Sequence, residues 1–200
     1  MYAVNGICFN HESPRRGGTF VTRKVTRGLA RICLGLENCL YLGNLDAKRD
    51  WGHAKDYVIA QWKMLQLDEP DDFVLGTGMQ FSVRELVEVT LGILGIEIEW
   101  SGELADERAT VVLVPDKYQD RLKVGSTIIR VDPRFFRVAE VGTLLSDPSK
   151  ARDKLGWSFS FTFQDLISDM VGADLAIAKR EQFLIDAGLT GEAGINGNLT

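Results

Sequence analysis

"AVNGICFNHESPRRGGTFVTRK", residues 3–24, continues a mostly apolar run that begins at Tyr2 and ends at Asn10 and His11. A run of this length, rich in β-formers, predicts one buried strand over 2–10 in a parallel sheet, its carboxyl end opening into a loop. Ligands of open α/β sheets sit at such ends. Beyond the loop, with its arginines and paired glycines, Phe20, Val21, Val25, Leu29, Ile32 and Cys33 recur at helical spacing. They predict an amphipathic helix over 20–35, closed by Gly35, whose first turns face the loop.

Strand and helix signals alternate through the rest of the chain. A short strand at 39–42 meets a Gly-Asn turn and a polar loop, followed by a helix from about 54 to 66 marked by Tyr57, Val58, Ala60, Gln61 and Leu65. "DDFVLGTG" (71–78) reads as another short strand with a glycine exit. Ser82 and Glu85 form a capping box that opens a helix running to Gly95. Strands are expected at 96–100 and 126–132, a short helix within 146–157, and a last helix capped by Thr162 that runs to about residue 180. Segment 101–125 has little periodicity and reads as a mobile loop, acidic and then basic. The residues after the last helix read as a disordered tail.

This alternation argues an α/β fold. Two hundred residues, 45% hydrophobic and 26% charged, suit a globular chain with one well-buried core. The absence of a long apolar run and of a leader pattern leads to the expectation of a cytoplasmic protein with no membrane partner. Cys8, Cys33 and Cys39 show no CxxC spacing and read as core thiols rather than a disulfide or metal framework. Residues 1–60 carry nine Lys/Arg against five Asp/Glu, while the remaining 140 carry fourteen against twenty-three. With a pI of about 5.1, a small anionic ligand fits the basic front better than nucleic acid does. The chain contains no G-x-G-x-x-G, no P-loop and no Tyr-x-x-x-Lys.

Five stretches together carry a resemblance: the one quoted above, "LGNLDAKRDWGHAKDYV" (42–58), "SVRELVE" (82–88), "VDPRFFRVAEV" (131–141) and "DPSKARDKLGW" (147–157). Over residues 2 to about 175 the chain resembles the C-terminal half of GDP-mannose 4,6-dehydratases, in the extended short-chain dehydrogenase/reductase superfamily. The resemblance implies an α/β fold made of the C-terminal part of an NAD(P)-binding Rossmann-type sugar-nucleotide enzyme with its smaller α/β substrate-binding domain. The divisions expected are 1–70 for the Rossmann remnant and the start of the substrate domain, 71–180 for the substrate-binding domain, and 181–200 for the tail. In that family NADP takes hydride from sugar C4, water is eliminated across C5 and C6, and hydride returns to C6, giving GDP-4-keto-6-deoxy-mannose on the way to GDP-fucose. The family's catalytic Tyr and Lys lie upstream of the position matching Met1, so no catalytic residue is expected here.

The resemblance also assigns roles by position. His11 and Arg16 match cofactor contacts to NADP; a guanidinium fork suits phosphate oxygens, and Gly17 and Gly18 allow close backbone approach. Asn10, Val21 and Lys24 match contacts to the GDP-sugar, and Arg49 matches the arginine that clamps its diphosphate. Leu40 and Leu42 match positions flanking guanine. Arg137 and Glu140 match the family's R-P-x-E-V, here with Val138 in place of the proline. Trp51 is expected to pack rather than stack on a ligand, and His53 to serve as a structural hydrogen-bonding residue. Two readings follow. The chain is an N-terminally truncated or split GDP-mannose 4,6-dehydratase, inactive alone and homo-oligomeric when full-length, or it is a non-catalytic nucleotide-sugar binding or assembly module.

Overall fold

The computed structural model describes residues 1–136 and 141–189, and in it the opening run divides in two. Instead of one strand over 2–10, β1 (Gly6–Cys8) pairs in parallel with β6 (Phe73–Leu75), and β2 (Asn10–Glu12) pairs in parallel with β5 (Trp51–His53). The change of partner falls at Phe9, whose N–H still donates to Leu75 O at 2.8 Å. The expected burial on both faces fails in β1, where Ile7 is 57% exposed. The switch carries Asn10 away from β6 and sets it opposite Trp51.

Helix α1 (Val21–Cys33) forms because Val25, Leu29, Ile32 and Cys33 share a face, which packs against α3 (Val83–Leu94) and α5 (Phe163–Asp186). Gly35, just past its end, has φ +70. After α1 come β3 (Leu40–Leu42), β4 (Lys48–Arg49), β5 and α2 (Ala54–Met64), then β6 and β7 (Phe81–Ser82). The Ser82 and Glu85 capping box starts α3, and Gly95, left-handed at φ 79, ends it. Strands β8 (Glu97–Ser101), β9 (Arg108–Leu113) and β10 (Thr127–Val131) follow. With β3 they make a four-stranded sheet in the order β3-β10-β9-β8. A small sheet, β11-β4-β7, has β11 (Thr143–Leu144) at its edge, and α4 (Ser149–Leu155) precedes α5.

Segment 101–125 is therefore not a loop. The alternation in "RATVVL" turns Ala109 and Val111 into the core, both at most 1% exposed, and makes β9 an inner strand. Helix α5 also outruns its expected end, continuing six residues past 180 to Asp186 behind the Thr162 and Asp165 capping box.

The main core gathers the inner faces of α1, α3, α5 and the four-stranded sheet, with Leu40 and Leu42 among its members. A second cluster joins Tyr57, Ala60 and Met64 of α2 to Phe73 and Leu75 of β6 and to Ala151, Leu155 and Trp157. Among the described residues no helix is long and apolar enough to cross a membrane.

Candidate anion-binding site

Two cavities adjoin at Asn10, the first residue of β2. The larger, about 480 Å³, is framed by the start of α1 (Phe20, Val21, Thr22, Lys24), by Leu42, Gly43 and Asn44 after β3, and by Arg49, Trp51 and Phe135. The smaller, about 330 Å³, is lined by Ile7, Cys8, Phe9, His11, Arg16 and Leu144. Asn10 lines both. Parallel pairing of β2 with β5 brings this about, because Asn10 stands opposite Trp51, two residues after Arg49 in the chain.

The N-terminus of α1 enters the larger cavity without a side-chain cap and without an acidic residue in its first turn. Its leading N–H groups and the positive end of its dipole favour an anion. Lys24 adds a charge one turn along. Its ammonium lies 3.5 Å from the centre of the Phe135 ring. Burial pulls its pKa below the usual lysine value, and the nearby Asp132 carboxylate opposes that shift. At Gly43 the backbone passes so close to Phe135 that an added Cβ would stand 2.4 Å from its carbonyl oxygen. The absent side chain lets the two walls of the cavity meet.

Arg49 sits in β4, held between β11 and β7, and its Nη1 donates to Lys48 O at 2.7 Å. The next residue, Asp50, is fully buried and collects donors from two other segments. Thr77 N–H and hydroxyl reach it at 3.0 and 2.7 Å, Gly78 N–H at 3.0 Å and the Ser146 hydroxyl at 2.5 Å. This network fixes the strand on which Arg49 rides.

Around the smaller cavity, Arg16 is placed from three sides. Its guanidinium carbon lies 3.5 Å from the centre of the Phe20 ring, and its Nε lies 3.1 Å from Oε2 of Glu12. The backbone of its loop is held by Arg23, whose Nη1 donates to the carbonyls of Pro14 and Arg16. Arg23 is in turn pinned through Nε to the buried Asp174 of α5 at 2.7 Å. His11 donates through Nδ1–H to Phe9 O, 2.9 Å away, and its ring stacks on Tyr57 at 5.1 Å. Gly52 permits that stack, since a Cβ there would meet Tyr57 at 2.5 Å.

Of the expected residues, the structure brings Asn10, Val21, Lys24, Leu42 and Arg49 to the larger cavity and His11 and Arg16 to the smaller. Leu40 is a correction. It shares the inward face of β3 with Leu42 but lies one step deeper, 4% exposed, under α1 at Gly28, and is a core residue. Arg137 and Glu140 lie outside the described residues. Trp51 packs as expected, stacked on Phe163 at 5.9 Å, while one side of it also lines the cavity. His53 is structural: Nδ1 accepts from Lys55 N–H at 3.1 Å, capping α2, and Nε2 meets Asp169 at 3.0 Å.

Sequence reasoning missed Glu12, Thr22, Gly43 and Phe135. Glu12 stands between the named His11 and Arg16, so proximity in sequence was a signal; its burial was not. Phe135 reaches the site only because β10 pairs with β3 in parallel, Val131 opposite Leu42. The arrangement is a pair of adjoining cavities with separate cations and a shared asparagine.

Comparisons with known proteins give a family and a fold. The family model described as GDP-mannose 4,6 dehydratase matches residues 1–170. A GDP-mannose 4,6-dehydratase of Yersinia enterocolitica is 60% identical over 92% of this chain and 50% of its own length. The Homo sapiens GDP-mannose 4,6 dehydratase is 48% identical over 90% of this chain and 45% of its own. The chain thus spans about half the length of the curated relatives it matches. Among solved structures, RMD from Pseudomonas aeruginosa, complexed with NADPH, superposes with TM-score 0.65 at 22% identity, covering 86% of this chain and 47% of that one. A dTDP-glucose 4,6-dehydratase from Bacillus anthracis in complex with NAD gives 0.59 at 15% identity, covering 84% and 43%. These two likenesses bear on the fold: mixed α/β, with Rossmann-type sugar-nucleotide enzymes as neighbours.

Proposed function

The chain belongs to the GDP-mannose 4,6-dehydratase family, and on that premise we propose that it provides the sugar-nucleotide-binding, C-terminal half of an enzyme converting GDP-mannose to GDP-4-keto-6-deoxy-mannose. The observation that carries the proposal is the pair of adjoining cavities sharing Asn10, with Lys24 and Arg49 in one and His11 and Arg16 in the other. The larger cavity takes the GDP-sugar. Its diphosphate meets the uncapped start of α1, Lys24 and Arg49, and Leu42 bounds the nucleoside end.

The smaller cavity suits the phosphates of NADP. Among the described residues the buried Nε of Arg16 has no aligned hydrogen-bond partner, and His11, with Nδ1 engaged at Phe9 O, keeps Nε2 for a ligand. When bound, NADP provides the hydride acceptor and then the donor. The chain's own residues bind and orient: Arg16 holds a phosphate, Asn10 stands between the two ligands, and the cations of each cavity keep the two anions apart. The 200 residues contain no Tyr-x-x-x-Lys, so no proton-transferring pair is assigned among them. A cytoplasmic address and homo-oligomeric assembly of the full-length enzyme belong to the same proposal and rest on family membership.

The test is calorimetric titration of GDP and of NADP⁺ into the chain and two variants. Arg49→Ala should weaken GDP binding by about 1.5–3 kcal/mol, the scale of a hydrogen bond to a charged group, and leave NADP⁺ unchanged. Arg16→Ala should do the reverse. Equal losses for both ligands in either variant would mean a structural arginine was taken for a ligand contact. Incubation with GDP-mannose and NADP⁺ should yield no 4-keto product from this chain alone; product formation refutes the division of labour.

A further inference from the structure

A buried carboxylate stands between the two cavities. Glu12 closes β2, lines the larger cavity and is 1% exposed. Its Oε2 accepts from the Thr22 hydroxyl at 2.6 Å, at the start of α1 on the larger cavity's wall. The same oxygen lies 3.1 Å from Nε of Arg16, which lines the smaller cavity. That nitrogen is buried yet has no aligned hydrogen-bond partner among the described residues. Charge and proximity hold the pair, without a directed bond, and phosphate oxygens offering a bidentate geometry compete well for the guanidinium.

We propose that Glu12 couples the cavities: an anion that engages Arg16 releases the Glu12 carboxylate, which takes up a proton from solvent, and the lost negative charge favours a second anion in the larger cavity. The proposal rests on the reading that two anionic ligands bind side by side. Such ligands repel each other, and a neutralised Glu12 removes a third negative charge from between them.

The surroundings support the assignment. Burial raises the Glu12 pKa, while the Thr22 hydrogen bond and the charges of Arg16 and His11 hold it down. His11, on the same strand, is tied through Nδ1 to Phe9 O. From β5, His53 stands opposite Glu12, with both ring nitrogens engaged elsewhere. From α2, Tyr57 brings a buried hydroxyl without a hydrogen-bond partner among the described residues, and burial raises its pKa so that it stays neutral. Arg16 is the permanent cation of this group, so drawing it off moves the balance towards protonation. The new O–H of Glu12 has Thr22 Oγ1 within reach as acceptor. By linkage, each anion raises the affinity for the other by the same factor.

The test uses the 200-residue chain with ¹³C-labelled glutamate carboxyls, Glu12→Gln identifying the Glu12 signal by its loss. In Arg16→Met, a change on a loop, the proton affinity of Glu12 should rise about tenfold or more, as expected when an opposite charge a few ångströms away is removed. Equal midpoints in the two proteins overturn the linkage. GDP is then titrated with and without saturating NADP⁺. In the wild type, NADP⁺ should raise GDP affinity about fivefold or more, the low end of allosteric coupling, with proton uptake seen as a buffer-dependent binding enthalpy. Glu12→Gln should bind both ligands and show neither effect. Failure of NADP⁺ to bind removes the smaller cavity's assignment and the coupling with it. Binding of both ligands with unchanged GDP affinity overturns the coupling alone.

Discussion

Replacing Asp50 by asparagine should destabilise the protein far more than a nearly isosteric change suggests. The side chain is fully buried and receives Thr77 N–H at 3.0 Å and Thr77 Oγ1–H at 2.7 Å on Oδ1, with Gly78 N–H at 3.0 Å, Ser146 N–H at 3.3 Å and the Ser146 hydroxyl at 2.5 Å on Oδ2. Every neighbour is a donor, and asparagine turns one of the two oxygens into another. An amide at Oδ2 faces the N–H groups of Gly78 and Ser146; an amide at Oδ1 faces that of Thr77. With the amide at Oδ2 the buried Ser146 N–H loses its acceptor, and with it at Oδ1 the Thr77 N–H keeps only its longer, 3.2 Å contact to Oδ2, at a cost of about 1–3 kcal/mol, and the remaining bonds lose their charge assistance. The sum is about 3–5 kcal/mol, the scale of breaking a buried charged network. For a chain of this length that lowers Tm by roughly 6–20 °C. Urea denaturation followed by tryptophan fluorescence measures it, with Ser146→Ala as comparison, expected to cost about 1–2 kcal/mol. The two effects are ordered because serine is one contributor and aspartate the hub. A loss below about 1 kcal/mol for Asp50→Asn, or one no larger than that of Ser146→Ala, would refute the reasoning.

Gly43→Ala should cost about 1–3 kcal/mol and weaken GDP binding, because the new methyl must push back the Phe135 backbone, 2.4 Å from where it would stand, and Lys24 rests on that phenylalanine; thermal melts and GDP titration read both, and an unchanged melting curve contradicts the close approach. Asp71 predicts an acid-side dependence. Its hydrogen bonds from Lys150 and Lys154, at 2.5 and 2.9 Å, hold its pKa below the ordinary 3.8. A carboxylate depressed in the folded state contributes stability that is present above 3.8 and lost as pH falls below it. Asp71→Asn should therefore lower stability at neutral pH, converge with wild type in acid, and differ less in high salt because the pair lies at the surface; a difference that grows on acidification reverses the sign and refutes the pairing.

What the sequence determined by itself was whatever short-range physics specifies. The Ser82/Glu85 and Thr162/Asp165 capping boxes, the helical spacing of Val25, Leu29 and Ile32, and the glycines at 35 and 95 each depend on neighbours within a turn or two. The long motifs from residue 3 to 58 named the family and most of the cations in the two cavities. Tertiary structure decided what depends on pairing across the chain. The run 2–10 split at Phe9 because two different strands, β6 and β5, compete for it, and no local pattern records that choice. β9 became an inner strand because β8 and β10 cover both its edges, which a six-residue alternation between polar segments does not announce. Leu40 and Leu42 look equivalent in sequence, and the depth of one step along β3 separates a core residue from a cavity wall. Glu12 shows the limit most plainly. Its place in the motif was visible, but burial, the reach of Thr22 from α1 and the proximity of Arg16 exist only once α1 folds back over β2, and these contacts give a carboxylate between two cavities its chemistry.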